Sequence, residues 1–294
     1  MLRSSRIVTS ISAAAIAAAF IAAPALAVTG GDADGTAHPS VGMLLFSGGD
    51  GLYSCTGTLI APTLVVTAAH CTDGVVGDVI VSFDSNIAGP DAHGVDWIPE
   101  YDGTNYDDIA AAGYSYNGTF TAKGHTWTSG VAHAAPNYSD FTDLKNWNDY
   151  GVVVLDAAIV GITPSPLAPV GYLDTIPKSQ LSKTLLTTVG YGTEVRKADG
   201  GPQKPTPMSY PILRRVALEP IQKRTDQILQ VNGNINDTRG TGGTCFGDSG
   251  GPSFLNGYVV TVTSYGYTSN CRYLGGLQRI DSAEAQAWIL SWVD

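Results

Sequence analysis

The chain reads as an all-β protein built from antiparallel barrels, and three observations carry that reading. Its 294 residues include 35 glycines, so turn-forming positions are frequent. Short apolar, β-branched runs recur between the turns, as strands require. A stretch with three prolines in six residues, Ile162-Thr163-Pro164-Ser165-Pro166-Leu167-Ala168-Pro169, separates those runs into two sets and reads as a linker. Roughly 267 residues remain once 1–27 are set aside, long for one all-β unit and enough for two.

In chain order, residues 1–27 carry Arg3 and Arg6, an alanine-rich apolar run to Ile21 and the small-x-small triplet Ala25-Leu26-Ala27. That is the layout of a secretory signal peptide, excluded from the fold. The protein is therefore expected to be secreted and extracellular. No later segment approaches the ~20 apolar residues of a membrane span. Strands are predicted at 41–46, 56–60, 64–68, 75–83 and 152–155, placing an N-terminal barrel in 28–161. Residues 162–170 are the linker. A second set at 185–189, 212–218, 228–231, 253–255, 258–264 and 276–280 places a C-terminal barrel in 171–294. One helix is predicted, over 283–293 and capped by Ser282. Residues 96–124, rich in Tyr, Asp, Gly and Ala, read as an inserted surface loop. Asp102, Asp107 and Asp108 within it lack the ordered spacing of a calcium loop, so no metal is assigned. No cofactor is called for.

Composition narrows the partners. With 16 Lys+Arg against 26 Asp+Glu and a net charge of −10, the chain is a poor match for nucleic acid or an anionic membrane surface. A soluble monomer is expected. The sequons at Asn117, Asn137 and Asn236 matter only in a host that glycosylates.

Chemistry is concentrated near the C-terminus, in Thr244-Cys245-Phe246-Gly247-Asp248-Ser249-Gly250-Gly251-Pro252. A serine walled in by glycines is a poor helix and a poor strand, so the backbone is bent there. Such a bend exposes a nucleophile and lets the Gly247 and Ser249 N–H groups converge on an oxyanion. A serine hydroxyl needs a base, and the base needs an acid to fix its tautomer. Of the five histidines, His70 alone follows an apolar run and precedes a cysteine, in Leu64-Val65-Val66-Thr67-Ala68-Ala69-His70-Cys71; the others read as surface residues. The acid is Asp149, which opens the buried-strand run Tyr150-Gly151-Val152-Val153-Val154-Leu155.

With those segments in view the chain resembles the trypsin/chymotrypsin-type serine proteases. Thr67-Ala68-Ala69-His70-Cys71, Asp149 with its apolar run, and Gly247-Asp248-Ser249-Gly250-Gly251-Pro252 match the family's three motifs in its order. The resemblance implies two six-stranded barrels with the site in the cleft between them, and His70, Asp149 and Ser249 as base, orienting acid and nucleophile, with the Gly247 and Ser249 N–H groups as the oxyanion hole. It implies disulfides Cys55–Cys71 and Cys245–Cys271, where four cysteines alone allow three connectivities. It also implies that a free amine at Val28, created by cleavage after Ala27, pairs with Asp248. Seventy-eight residues lie between His70 and Asp149, more than the family's usual interval, which localises the insert. Activity is expected to fall below about pH 6 to 7, since the base must be neutral.

The resemblance also assigns a specificity pocket: Gly243 at its base, Thr244 beside it, and walls at Ser264, Gly266 and Gly275. Trypsin-type members hold an aspartate where this chain has Gly243, so no charge is expected at the floor. Glycine walls suit large apolar or aromatic side chains before the cut. Substrates would be proteins or peptides, with protein inhibitors as further partners. The alternative is a catalytically silent homologue serving as a binding or adhesion module.

Overall fold

The structure, a computed structural model, describes residues 28–88, 95–103, 105–143, 145–195, 208–234, 236–268, 271 and 274–293. The signal-peptide reading of residues 1–27 lies outside the described residues. In chain order the elements are β1 (Asp32–Ala33), β2 (Val41–Ser47), β3 (Leu52–Ala61), β4 (Leu64–Thr67), β5 (Val76–Ser82), α1 (Tyr106–Ala112), β6 (Thr119–Ala122), β7 (His125–Ala134), β8 (Gly151–Leu155), β9 (Leu185–Gly190), β10 (Glu194–Val195), β11 (Met208–Ser209), β12 (Arg215–Arg224), β13 (Ile228–Asn232), β14 (Pro252–Leu255), β15 (Tyr258–Gly266), β16 (Leu274–Arg279) and α2 (Ala283–Leu290).

Two antiparallel rings result. In the first, hydrogen bonding runs β2-β3-β4-β8-β7-β5 and returns to β2, with β6 attached outside β7. In the second it runs β12-β13-β16-β15-β14-β9 and returns to β12, with β1 attached outside. Each barrel is therefore six strands closed on itself, which removes exposed sheet edges. The apolar runs explain the closure. Every residue of β2 and β4 is buried, and Val41, Leu44, Leu64, Val66, Ile80 and Val152 are among the core residues of the first ring. A smaller core of Leu186, Ile221, Leu229, Val231, Val260 and Leu277 fills the second.

Between the rings the proline-rich segment is held from both sides. Ser165 donates its N–H to the Leu59 carbonyl of β3, and Ala168 donates to Val259 of β15. Helix α2 begins where expected, with the Ser282 hydroxyl accepting from Ala285 N–H at 3.2 Å, and ends three residues short of the expected 293. Its Trp288 ring lies 5.6 Å from Tyr150, so the C-terminal helix of the second half docks on the first.

Two expectations need correction. Residues 96–124 are not simply surface loop: they carry α1 and β6, and Ile98, Ile109 and Tyr114 are buried. These apolar side chains give the segment its own packing face, and Asp78 N–H donates to the Tyr114 carbonyl, stitching it to β5. Nor are the remaining described histidines free surface groups. His38 meets Asp34 at 2.5 Å and stacks on Phe254, His125 meets Asp84 at 2.9 Å, and His133 stacks on Trp292.

Candidate active site

Strand β4 ends at Thr67 and the chain turns through a single 3₁₀ turn, Ala69–Cys71, which presents His70 at the barrel rim. The Cys55–Cys71 disulfide fixes that turn to β3. Asp149 stands just before β8, which pairs with β4 from Leu64↔Val154 to Thr67↔Gly151. The register brings the two side chains together. His70 Nδ1 and Asp149 Oδ2 are 2.8 Å apart, and the His70 backbone N–H donates to Asp149 Oδ1 at 2.9 Å.

Asp149 is fully buried, so its charge must be met by hydrogen bonds. His70 supplies two, and the second barrel adds a third and anchors the Asp149 backbone. Ser264 Oγ donates to Oδ2 at 2.6 Å, and Gln278 Oε1 accepts from the Asp149 N–H at 3.0 Å. Trp147 lies over this network, its Nε1 donating to Ser264 Oγ at 3.2 Å. The carboxylate is thus oriented by three donors and shielded from water.

Ser249 comes from the loop before β14. That loop is docked on β3: Thr56 N–H donates to the Ser249 carbonyl at 2.8 Å, and Thr56 Oγ1 donates to the Gly247 carbonyl at 2.8 Å. At Gly250, φ is +75° and a Cβ would fall 1.9 Å from Thr67 Oγ1, so only glycine lets the loop pass this close to β4. His70, Ser249 and Gly247 all line one cleft of about 640 Å³. Among the described residues no hydrogen bond joins the Ser249 hydroxyl to the His70 ring, and the Gly247 and Ser249 N–H groups have no protein acceptor. Two unpaired backbone donors beside a free hydroxyl are what a developing oxyanion would use.

Behind the serine, Asp248 is fully buried, and its oxygens accept from Gly192 N–H and Cys245 N–H, each at 2.8 Å. Burial pushes its pKa up to about 7. Val28 is buried too, and the adjacent Thr29 pairs with Gly243. Among the described residues nothing bonds Val28 to Asp248, and with Ala27 still attached Val28 carries an amide in place of an ammonium.

A second cavity of about 360 Å³ opens beside Ser249 and brings together all five expected pocket residues, Gly243, Thr244, Ser264, Gly266 and Gly275 among them. The Cys245–Cys271 disulfide closes one wall. The floor differs from expectation. Glu219, reaching in from β12, lies beneath Gly243, and its Oε1 is 3.4 Å from where a Gly243 Cβ would be.

Comparison with known proteins supplies the family and the fold. The family model described as Trypsin matches residues 27–131 and 121–289. The chain belongs to the trypsin family. Brachyurin from Leptuca pugilator is 27% identical over 227 residues, 76% of this chain and 80% of that one. A trypsin from Saccharopolyspora erythraea is 26% identical over 261 residues, 81% and 86% of the two chains. A solved structure of HL collagenase superposes with a TM-score of 0.57 at 16% identity, over 89% of this chain and 95% of that one, and so shares its fold. As a trypsin-family member the protein is a serine endopeptidase.

Four features of this site escaped the sequence reading. The bond from Ser264 to Asp149, the Gln227 and Gln278 amides that hold residues 148–149, and Glu219 leave no local signature, since their partners are 25 to 129 positions away. The Asp248 nest did leave one: Gly190-Tyr191-Gly192 runs from the last residue of a strand, a pattern that marks a close backbone approach.

Proposed function

We propose that the protein hydrolyses peptide bonds through an acyl-enzyme formed on Ser249. In this reading Ser249 Oγ attacks the substrate carbonyl while His70 Nε2 takes its proton. Asp149 holds Nδ1–H and stabilises the imidazolium, and the Gly247 and Ser249 N–H groups receive the oxyanion. His70 then protonates the leaving amine, and water repeats the sequence to release the acid product. The observation that carries the proposal is the buried Asp149 anchored by Ser264 and aimed at His70, in the cleft that Ser249 lines.

The same reading makes the mature chain begin at Val28 after export. Its freed amine, next to the Thr29–Gly243 pairing, would enter the Asp248 site and supply the cation that a buried carboxylate lacks. For specificity, glycine at 266 and 275 leaves the cavity open to a large apolar or aromatic side chain, preferred ahead of lysine and arginine.

The test is the intact mass of the secreted protein before and after a fluorophosphonate, beside Ser249→Ala. A mass beginning at Val28 and one adduct that the variant lacks are expected. Absence of label on a chain that starts at Val28 would overturn the catalytic assignment and favour a silent binding module.

A further inference from the structure

We infer that Glu219 is the specificity-determining floor of this pocket, accepting the ammonium or guanidinium of a substrate lysine or arginine as a second class beside aromatic side chains. The inference rests on the proposed pocket and deepens it.

Three observations place the group. Glu219 is 1% exposed yet lines the 360 Å³ cavity. Its carboxylate accepts from Thr188 Oγ1 at 2.9 Å and from Thr244 N–H at 3.2 Å. These two donors leave acceptor sites unused on a group that can take about four. Among the described residues it has no cationic partner. A buried carboxylate with neutral donors only is costly, and such a cost is sustained where an incoming cation offsets it.

Gly243 explains why the acid comes from β12. A Cβ at 243 would fall 2.7 Å from the Gly233 Cα, so no aspartate fits there without displacing backbone. With position 243 bare, Glu219 itself lines the cavity, its Oε1 3.4 Å from where a Gly243 Cβ would be. A residue that reaches the floor from another strand has no counterpart in the local nucleophile motif, and the sequence at 243 hides it.

The groups around Glu219 also set when it is charged. From β9 comes the Thr188 hydroxyl, joined to Ser253 of β14. Burial above all, with a smaller contribution from the negative charge of Asp248 in the nucleophile loop, pushes Glu219 up to about 7. Arg215 lies on the same strand four residues earlier, about 13 Å away along it. The floor is therefore neutral in mild acid, where it suits an aromatic ring or a tyrosine hydroxyl. It is anionic in mild base, where it suits a cation, and a bound cation draws the ionisation to lower pH.

The experiment compares kcat/KM for lysine-site and tyrosine-site peptide amides from pH 5.5 to 8.5, for the wild type and Glu219→Gln. The lysine-to-tyrosine ratio is expected to rise at least tenfold with pH in the wild type. In Glu219→Gln it is expected to stay flat and lie at least tenfold lower at pH 8. Equal ratios in the two proteins at every pH would overturn the assignment. A wild type that prefers lysine throughout, with the ratio still collapsing in Glu219→Gln, would sink the aromatic preference and leave Glu219 standing.

A second measurement needs neither turnover nor the glutamine variant. Calorimetric titration of benzamidine, a ring bearing a cation, into Ser249→Ala at pH 6 to 7 is expected to release a proton, and affinity should rise at least tenfold by pH 8. Binding without proton release and with no pH dependence would overturn the inference.

Discussion

At the scale of single residues, the site depends on how closely the backbone approaches Asp248. A Cβ on Gly192 would fall 2.4 Å from the Asp248 Cγ, and one on Gly190 would fall 2.1 Å from Oδ1. Gly192→Ala therefore expels Asp248 from its nest. Because Asp248 immediately precedes Ser249 and its Oδ2 holds the Cys245 N–H, the 245–249 loop must shift with it. Loss of aligned oxyanion donors costs on the order of 10²-fold or more in kcat. Gly192→Ala is thus expected to lower kcat at least that far while leaving the far-ultraviolet dichroism intact. A rate within threefold of wild type would mean that the loop geometry does not depend on this contact. Ser264 illustrates a different lesson. Its side chain lines the 360 Å³ cavity, and its hydroxyl also belongs to Asp149.

At the scale of elements, the two barrels are registered by buried polar contacts as much as by apolar ones. Arg214, 2% exposed, donates from Nε to Asp34 at 2.8 Å, from Nη1 to the carbonyls of Val41 and Phe83, and from Nη2 to that of Gly35. One guanidinium thus joins the segment before β12 to one end of the β2–β5 pairing, where the start of β2 meets the end of β5. Arg214→Met should leave Asp34 with His38 alone and cost about 3–5 kcal/mol, seen as a fall in the urea midpoint. A loss under 1 kcal/mol would show that the barrels dock by apolar contact alone.

Legibility from sequence followed the same division. Strands with continuous apolar runs, such as 41–46 and 64–68, and the Ser282 cap were readable because their signals are local. Strand β6 was not, although its two-residue turn at Lys123-Gly124, with φ +53° and +81°, is a hairpin signal. Helix α1 was hidden because its buried face consists only of Ile109 and Ala110, too little to create a helical period. The three motif residues could be named from their neighbours. Glu219 could not, because what makes it notable is a bare Gly243 on another segment.

At the scale of the whole molecule, two buried acids, Glu219 and Asp248, couple stability to pH and to maturation. Both are raised, from 4.5 and 3.8 respectively to about 7. Between those values the folded chain keeps protons that the unfolded chain has released, so unfolding releases protons and stability falls as pH rises. The loss is complete above about 7, and for Glu219 alone it is about 3 kcal/mol. Glu219→Gln should therefore be less sensitive to pH than the wild type between 4.5 and 7.5, and more stable than it at pH 7.5. Asp248 adds a dependence that the N-terminus controls. An ammonium at Val28 within reach of Asp248 lowers its pKa and removes its share of the loss, whereas an N-terminally extended chain keeps it. Urea unfolding at pH 4.5 and 7.5 should consequently show a smaller drop for protein starting at Val28 than for protein still carrying Ala27. Identical drops in the two would mean that the amine never reaches Asp248, and that the buried carboxylate is held by the Gly192 and Cys245 N–H groups alone.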